Sequence, residues 1–367
     1  MKCIKCSEDN KLKERKENSG CCKKCKHPFA FDPKLGDKFT DQFFAHTLEK
    51  ISVNDSLYFT PRQFYYWFNL RNKSFNYFWP AAILLFVAIG VLLIFYSSTG
   101  LIISAGFGLV GIVFLLFGFF DWRDKKGGRI VNTSLVETHK LLDRWQQKNG
   151  SVSKLLPPPQ IQALPASVNP EVSAYSFDRA VICDRNEIAH FLIANNFHFE
   201  NNCAVLSVNG YPNSIFETVL VMLKRNSELK VYALHDASPP GVQLIHRLRT
   251  QPRWFADSAG VTIFDLGLLP RQLTKKKMFV LKTNESAQQA HKISAEVKAT
   301  LQADEIKWLE EGKHVELESL SPLLLLRILR DGIAKSRNPQ ADDALVMVDG
   351  GGYYGNDVSV YSVDSFG

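Results

Sequence analysis

The segment Val231–Gly241 constrains the fold of this 367-residue chain more than any other. An uncharged apolar run, Val231–Leu234, is followed two residues later by the carboxylate of Asp236, and Pro239 and Gly241 then form a turn. Buried strands of parallel sheets have this continuous apolar character, and ligands of open α/β sheets bind at the carboxyl ends of the strands. The segment therefore predicts a parallel sheet with a ligand site beside Asp236.

The surrounding sequence, residues 174–335, alternates short apolar runs with helical patterns, and a Gly-rich tail follows at residues 336–367. We predict strands at Ala180–Cys183, Cys203–Val208, Val231–Leu234 and Val261–Phe264, and helices at Glu187–Ala194, Ser214–Leu223, Val242–Arg249, Ser286–Leu301 and Pro322–Leu329. This order predicts an α/β domain with a mostly parallel sheet and flanking helices on both faces.

Two uncharged apolar runs, Phe78–Tyr96 and Leu101–Phe120, lie close together. At a rise of about 1.5 Å per residue, each is long enough to cross a hydrocarbon core. We therefore predict a two-helix transmembrane hairpin at residues 77–120. The alternative, a buried hairpin in a soluble core, is disfavoured because soluble helices usually carry a polar stripe.

Positive charge flanks the outer ends of both runs and is missing from the turn between them. This distribution predicts that both chain ends face the cytoplasm, and we expect a multi-pass protein of the bacterial inner membrane. The formal net charge is +7, and much of the excess lies in residues 1–26. Anionic lipid headgroups explain that basic arm at least as well as nucleic acid does.

Four cysteines form two Cys-x2-Cys pairs, Cys3 with Cys6 and Cys22 with Cys25. This is the spacing of a structural zinc site with four thiolate ligands. A segment this small and hydrophilic needs such a staple to fold, so we predict a zinc ribbon at residues 1–30. Cys21 leaves the ligand set open, because Cys21-x3-Cys25 is also a binding spacing. A disulfide framework is the alternative, and it conflicts with a cytoplasmic location.

Two further segments complete the organisation. Residues 31–76 form a small mixed segment. Residues 121–173 begin with a capping box at Ser134–Glu137, which predicts a helix, and continue into the prolines of 157–159. Proline at this density predicts an extended spacer that would hold the large domain away from the membrane.

Asp184 follows the first predicted strand and Asp236 the third. If these strands are neighbours, both carboxylates point into one crevice, where they could hold Mg²⁺ and position a phosphate. The alternative is that each Asp caps a following helix, which is a very common use of this residue. Spacing alone favours the caps.

The order of motifs resembles the Toprim domain of the topoisomerase VI A subunit, which its meiotic double-strand-break relatives share. In that family the first strand ends in Glu, a glycine turn follows the second strand, and the third strand ends in Asp-x-Asp-Pro-x-Gly. The matching positions, which span about residues 178–333, are Asp184, Asn209–Pro212, Asp236-x-Ser238-Pro239-x-Gly241, Leu266–Pro270 and the segment from Trp308 through Lys313 to Leu320.

The resemblance implies a magnesium site at Asp184, Asp236 and Ser238. It also implies three partners, namely DNA, a second copy of the chain and an ATPase partner subunit. Asp184 is one methylene shorter than the family's Glu, and Ser238 replaces a metal-binding Asp with a neutral hydroxyl. Hard divalent cations prefer anionic oxygens, so the resemblance with these departures implies weak Mg²⁺ binding or none.

The segment Thr60–Tyr66 resembles the Arg-x-x-Tyr-Tyr segment that carries the nucleophilic tyrosine of the same enzymes. On that resemblance, Tyr66 is the catalytic nucleophile, Arg62 its phosphate-binding neighbour, and residues 31–76 a reduced winged-helix-like domain. The alternative interpretation is an aromatic segment beside a bilayer, where aromatic side chains collect.

Three functions follow from these patterns. The first is a membrane-anchored, catalytically degenerate Toprim-like module that binds nucleic acid or protein, and Ser238 and the short tyrosine segment favour it. The second is an active Mg²⁺-dependent DNA nuclease or transesterase that uses Tyr66. The third is a membrane scaffold that binds protein only.

Overall fold

In the computed structural model of the chain, the described residues are 1–71, 133–159, 178–226, 228–258, 261–273 and 278–336, with the single positions 83, 110 and 113. Apart from these three single positions, the two predicted membrane runs lie outside the described ranges, as do most of the proline-rich spacer and the tail after Ser336. Within the described ranges, no helix combines the length and the apolar character that a bilayer crossing needs.

The described elements fall into an amino-terminal helical part and an α/β part. The helices are α1 (Leu12–Glu17), α2 (Asp41–Ile51), α3 (Pro61–Arg71), α4 (Leu135–Asn149), α5 (Asn186–Ala194), α6 (Phe197–Glu200), α7 (Phe216–Lys224), α8 (Pro239–Val242), α9 (Leu244–Thr250), α10 (Pro270–Leu273), α11 (Asn284–His291), α12 (Ala295–Lys298), α13 (Ala303–Glu310) and α14 (Pro322–Lys335). The strands are β1 (Arg179–Cys183), β2 (Ala204–Ser207), β3 (Lys230–Leu234), β4 (Thr262–Asp265), β5 (Leu281–Lys282) and β6 (Lys313–His314).

The main sheet is parallel and has the strand order β2-β1-β3-β4. Cys183 at the end of β1 is in register with Ser207 of β2 and with Leu234 of β3. The predicted parallel α/β sheet is confirmed, and the carboxyl ends of three strands lie level with one another. A separate antiparallel pair joins β5 to β6.

Helices cover both faces of the main sheet. Successive strand residues point to opposite sides, so each strand contributes apolar side chains to both faces. Val181 and Tyr232 pack with α5 and α14 on one face, and Ile182 and Ala233 pack with α7 and α9 on the other. The predicted helix Ser286–Leu301 is wrong as a single element. It is interrupted after His291, where the Ser294 side chain accepts the Val297 N–H and caps a new helix, α12.

The amino-terminal part has an aromatic core built from α2, α3 and α4. Its buried aromatic members are Phe31, Phe44, Phe59, Phe64, Phe68 and Trp145. The capping box predicted at Ser134 and Glu137 is present at the start of α4. Leu142 and Trp145 bury the apolar face of this helix in the aromatic core.

The aromatic core and the α/β domain are joined by a specific contact. The Asn195 side chain, at the end of α5, accepts the Tyr58 N–H at 2.8 Å and donates to the Tyr58 carbonyl at 3.1 Å. Leu156, which follows the pairing of Phe59 with Leu155, is buried in the core of the α/β domain. These contacts hold the aromatic core against the α/β domain, and α3 itself packs against the turn at Leu317–Ser319.

Candidate functional site

Cys3, Cys6, Cys22 and Cys25 form a cluster whose sulfur atoms all lie within 4.8 Å of one another. Two of the Sγ–Sγ distances are 3.6 Å, Cys3 to Cys25 and Cys6 to Cys22. A tetrahedral zinc ion with bonds of about 2.3 Å separates its sulfur ligands by about 3.8 Å, which is close to these values. The four-cysteine cluster could therefore hold a metal such as zinc.

The two cysteine pairs have matching backbone turns. Ser7 and Lys26, each directly after the second cysteine of its pair, both have a φ of 57°. Cys21 lies outside the cluster, and its Sγ is 3.9 Å from the Ser19 carbonyl oxygen. Spacing left open whether Cys21 or Cys22 belongs to the ligand set, and the geometry of the cluster favours Cys22.

The hydrogen bonds at Cys22 suit a thiolate ligand. Burial raises the pKa of its thiol, but the backbone N–H groups of Cys25 and Lys24 and the Asn10 amide lower it to about 6 overall. The Asn10 side chain donates to Cys22 Sγ at 3.5 Å. A metal ion needs deprotonated cysteine ligands, and the surroundings of Cys22 favour its thiolate, whereas the pKa values of Cys3 and Cys6 are raised when no metal is bound.

A second candidate site is the acidic crevice, which is lined by Asp184, Arg185, Asp236, Glu316 and Glu318. Asp184 comes directly after the end of β1, and Asp236 comes two residues after the level end of β3. The Asp236 N–H donates to Asp184 Oδ2 at 2.9 Å. Neither aspartate caps a helix, because the residue at the cap of α5 is Arg185 and that of α8 is Ser238.

Arg185 is the cation of the acidic crevice. Its Nε lies 3.1 Å from Asp236 Oδ2, and its Nη2 lies 2.8 Å from Glu318 Oε2. The other oxygen of Asp236, Oδ1, accepts the Leu317 N–H at 2.6 Å. Arg185 therefore ties the end of β3 to the turn at Leu317–Ser319.

Glu316 brings the tyrosine segment of α3 to the crevice. It accepts the Tyr66 hydroxyl hydrogen bond at 2.8 Å and pairs with the Arg62 guanidinium. The Tyr66 side chain is 1% exposed and packs on Phe279 with a centroid distance of 5.2 Å. Thr60 also donates to Glu318. The structure thus brings Tyr66, Arg62, Asp184 and Asp236 into one connected network.

Burial controls ionisation in the acidic crevice. It raises the pKa of Asp236 to about 7, with the Asp184 and Glu316 carboxylates adding to the effect and Arg185 opposing it. Burial also raises the pKa of Asp184 and of Glu318. For Glu316 the outcome is reversed, because Arg185 and Arg62 outweigh burial and hold its pKa below the ordinary value. Glu316 is therefore the carboxylate best kept ionised.

The Tyr66 phenol is held in its neutral form. Burial raises its pKa above the ordinary value, and the adjacent Glu316 carboxylate raises it further. A phenolate beside a carboxylate would place two negative charges in a poorly solvated environment. Nucleophilic chemistry at Tyr66 therefore requires proton removal during the reaction, and Glu316 is the base within reach.

A buried histidine, His235, contacts the backbone of Asp236 at the acidic crevice. His235 Nδ1 lies 2.8 Å from the Asp236 carbonyl oxygen, and Nε2 lies 3.1 Å from Asp265 Oδ1 at the end of β4. Burial alone would lower its pKa, but the Asp265 carboxylate raises it to about 9. Gly267 is required here, because a Cβ at that position would lie 2.3 Å from the His235 ring.

The crevice, as arranged, suits Mg²⁺ poorly. Asp184 Oδ1 is buried without a hydrogen-bond partner and could face a cation. Both oxygens of Asp236 are already paired, and Ser238 Oγ accepts the Gly241 N–H at 3.2 Å to cap α8. A hard cation prefers about six oxygen ligands, most of them anionic. Two buried carboxylate oxygens of this crevice lack a hydrogen bond, Asp184 Oδ1 and Glu318 Oε2, and the second is paired with Arg185. Magnesium binding at Asp184, Asp236 and Ser238 stays a prediction.

Three lining residues of the crevice escaped the sequence-based site: Arg185, Glu316 and Glu318. Arg185 directly follows Asp184, and a basic residue beside a site carboxylate is a usable signal. Glu316 precedes the short turn Leu317–Ser319 and Glu318 lies within it, and both carboxylates act on Arg185. Their distance in sequence from Asp236 concealed their role.

The parallel sheet, the crossing order of its strands and the acids at its carboxyl edge define an α/β domain of the Toprim type. The family model for the Toprim domain of the topoisomerase 6 A subunit/Spo11 proteins matches residues 180–325, which is less than half of the chain. The domain is therefore related to that Toprim domain, and this relation indicates a function connected with nucleic acids. No curated protein matches the sequence.

Proposed function

We propose that this protein is a membrane-anchored Toprim-like module that binds nucleic acid or a protein partner and has lost DNA cleavage. The observation that carries the proposal is the pairing of Asp236. Its two carboxylate oxygens contact Arg185 and the Leu317 N–H, so they are not free for a metal ion. Ser238 adds a neutral hydroxyl where a second anionic ligand would be needed.

DNA and other subunits are the partners that the matching family's description favours. The basic residues 1–26 and the net charge of +7 favour contact with a polyanion, either DNA or an anionic lipid surface. We propose that a zinc ion in the four-cysteine cluster shapes this arm. A second copy of the chain is a further proposed partner.

Membrane anchoring rests on the two uncharged runs of residues 77–120. We expect the full chain to sediment with membranes and to resist extraction by alkaline carbonate. A variant with residues 77–120 replaced by a short Gly/Ser linker should move to the supernatant. Carbonate extraction of the intact chain would contradict the anchoring.

Binding to DNA is tested by fluorescence anisotropy of a short labelled duplex with the full chain in mild detergent. We expect binding that weakens steeply between about 50 and 200 mM salt, because phosphate contacts release counterions. A chain that leaves the duplex unbound at low salt would contradict nucleic-acid binding and favour the protein-only scaffold.

A second candidate function, an active DNA transesterase, is favoured by one contact. The Tyr66 hydroxyl donates to Glu316, and Arg62 pairs with the same carboxylate, which is ionised but, with its lowered pKa, is a weak base. In such a reaction the phenol oxygen would bond to phosphorus, Glu316 would take the phenol proton, the bond from phosphorus to a sugar oxygen would break, and that oxygen would leave as a hydroxyl after taking a proton from water. The near-complete burial of Tyr66 disfavours it.

A further inference from the structure

The acidic crevice holds one guanidinium among several carboxylates. The acids that act electrostatically on Arg185 are Asp236, Glu318, Glu316 and Asp184. They come from distant parts of the chain: two from the ends of β1 and β3, and two from the segment around Leu317. Arg185 Nη2 lies within 3.4 Å of Asp236 Oδ1 and 2.8 Å of Glu318 Oε2, so the guanidinium bridges both groups.

This arrangement has the form of a metal site with an organic cation inside. A divalent ion in a parallel α/β sheet is commonly held by acids at the carboxyl ends of the strands, where Asp184 and Asp236 lie. Here the oxygens of Asp236 contact a side chain that cannot lose its charge. A guanidinium is also more weakly hydrated than an ammonium, so it tolerates a confined position between carboxylates.

We propose that Arg185 is the permanent cation of the acidic crevice and excludes divalent metal from it. The guanidinium supplies the charge that Asp236 and Glu318 need, and it fills the space between them. A second cation would have to displace Arg185 or lie beside it, and like charges at that distance repel strongly. The crevice is therefore charge-compensated without metal.

Removal of the guanidinium should uncover a metal site. In Arg185→Gln, the carboxylates of Asp184, Asp236 and Glu318 would lose their shared counter-ion. Asp184 Oδ1 has no hydrogen-bond partner, and Glu318 Oε2 would lose its ion pair. Carboxylate oxygens without a counter-ion are the ligands that Mg²⁺ and Mn²⁺ prefer.

The test is Mn²⁺ binding by isothermal titration calorimetry on the full chain in mild detergent. We expect wild type to bind more weakly than about 1 mM, and Arg185→Gln at least about tenfold more tightly. The double variant Arg185→Gln/Asp236→Asn should lose the gain, and Arg185→Lys, which keeps the charge, should behave like wild type. Arg253→Gln, which removes an exposed ion pair with Glu217, is the matched control and should change nothing.

Two outcomes would overturn the proposal: wild type that binds Mn²⁺ as tightly as Arg185→Gln, or a folded Arg185→Gln that gains no binding. If Arg185→Gln does not fold without metal, the wild-type chain still decides. Millimolar Mn²⁺ should then shift its melting temperature by less than about 1 °C, and a rise of about 3 °C or more would show a metal site that Arg185 does not block. Because the readout is metal binding, either result leaves the DNA binding proposed above as a separate question.

Discussion

The buried pair of His235 and Asp265 gives a prediction whose size follows from the structure. The pKa of His235 is about 9 against an ordinary 6.5, a difference that corresponds to about 3 kcal/mol in favour of the folded, charged form. The Asp265 side chain is 29% exposed, and solvent screening reduces our expectation to about 2 kcal/mol. Asp265→Asn should remove this contribution.

The sign of the pH dependence is fixed by the raised pKa. The contribution of the pair is fully present below pH 6.5, where His235 is charged in both states, and is lost as the pH rises through about 9. For a domain of this size, about 2 kcal/mol corresponds to a fall of about 4–8 °C in melting temperature. The melting temperature of Asp265→Asn should therefore be about 4–8 °C below that of wild type at pH 6 and almost equal to it at pH 10.

The assay is a pair of thermal melts at each pH on the full chain in mild detergent. The exposed Asp257→Asn is the matched control and should melt like wild type at both pH values. An equal loss at pH 6 and pH 10 would mean that Asp265 acts through packing rather than through charge. The absence of a loss at pH 6 would refute the ion pair.

Two further predictions concern the cysteine cluster and the contact between the two parts of the fold. Elemental analysis should find about one zinc per chain; Cys6→Ser should lose it and the matched Cys21→Ser should keep it, and a zinc-free wild type would contradict the assignment. Asn195→Ala leaves the N–H and carbonyl of Tyr58 without their partner, and at about 1–3 kcal/mol per buried unsatisfied group it should lower the melting temperature by several degrees. Asn201→Ala, whose side chain bonds only within α6, should cost less, and equal losses would contradict a special role for Asn195.

Local sequence patterns were sufficient to predict the sheet. The four apolar runs correspond to β1–β4 because a strand buried on both faces has to be apolar throughout. The close approach of Asp184 and Asp236 also depends on the strand order, in which β1 lies beside β3. The match to residues 180–325 supports the Toprim relation inferred from the motif order.

The rest depended on contacts between distant residues. The burial of α4 in the aromatic core was not predicted, because its partners there, such as Phe44, lie about a hundred positions earlier. Ser238 was assigned to metal binding, and its use as a helix cap emerges only with the geometry of α8. Arg185 and Glu318 are separated by 133 positions, so no local pattern predicts their ion pair.

Incubation of supercoiled DNA with the full chain and Mg²⁺ or Mn²⁺ tests the central claim, a Toprim-like module without cleavage chemistry. A native gel of the mixture reports binding, and a second gel after deproteination reports cleavage. We predict a retarded band on the first gel and only supercoiled DNA on the second. Tyr66→Phe and its neighbour control Tyr65→Phe should give the same result. Nicked circles from wild type and Tyr65→Phe that are missing with Tyr66→Phe would contradict it and establish Tyr66 as a working nucleophile.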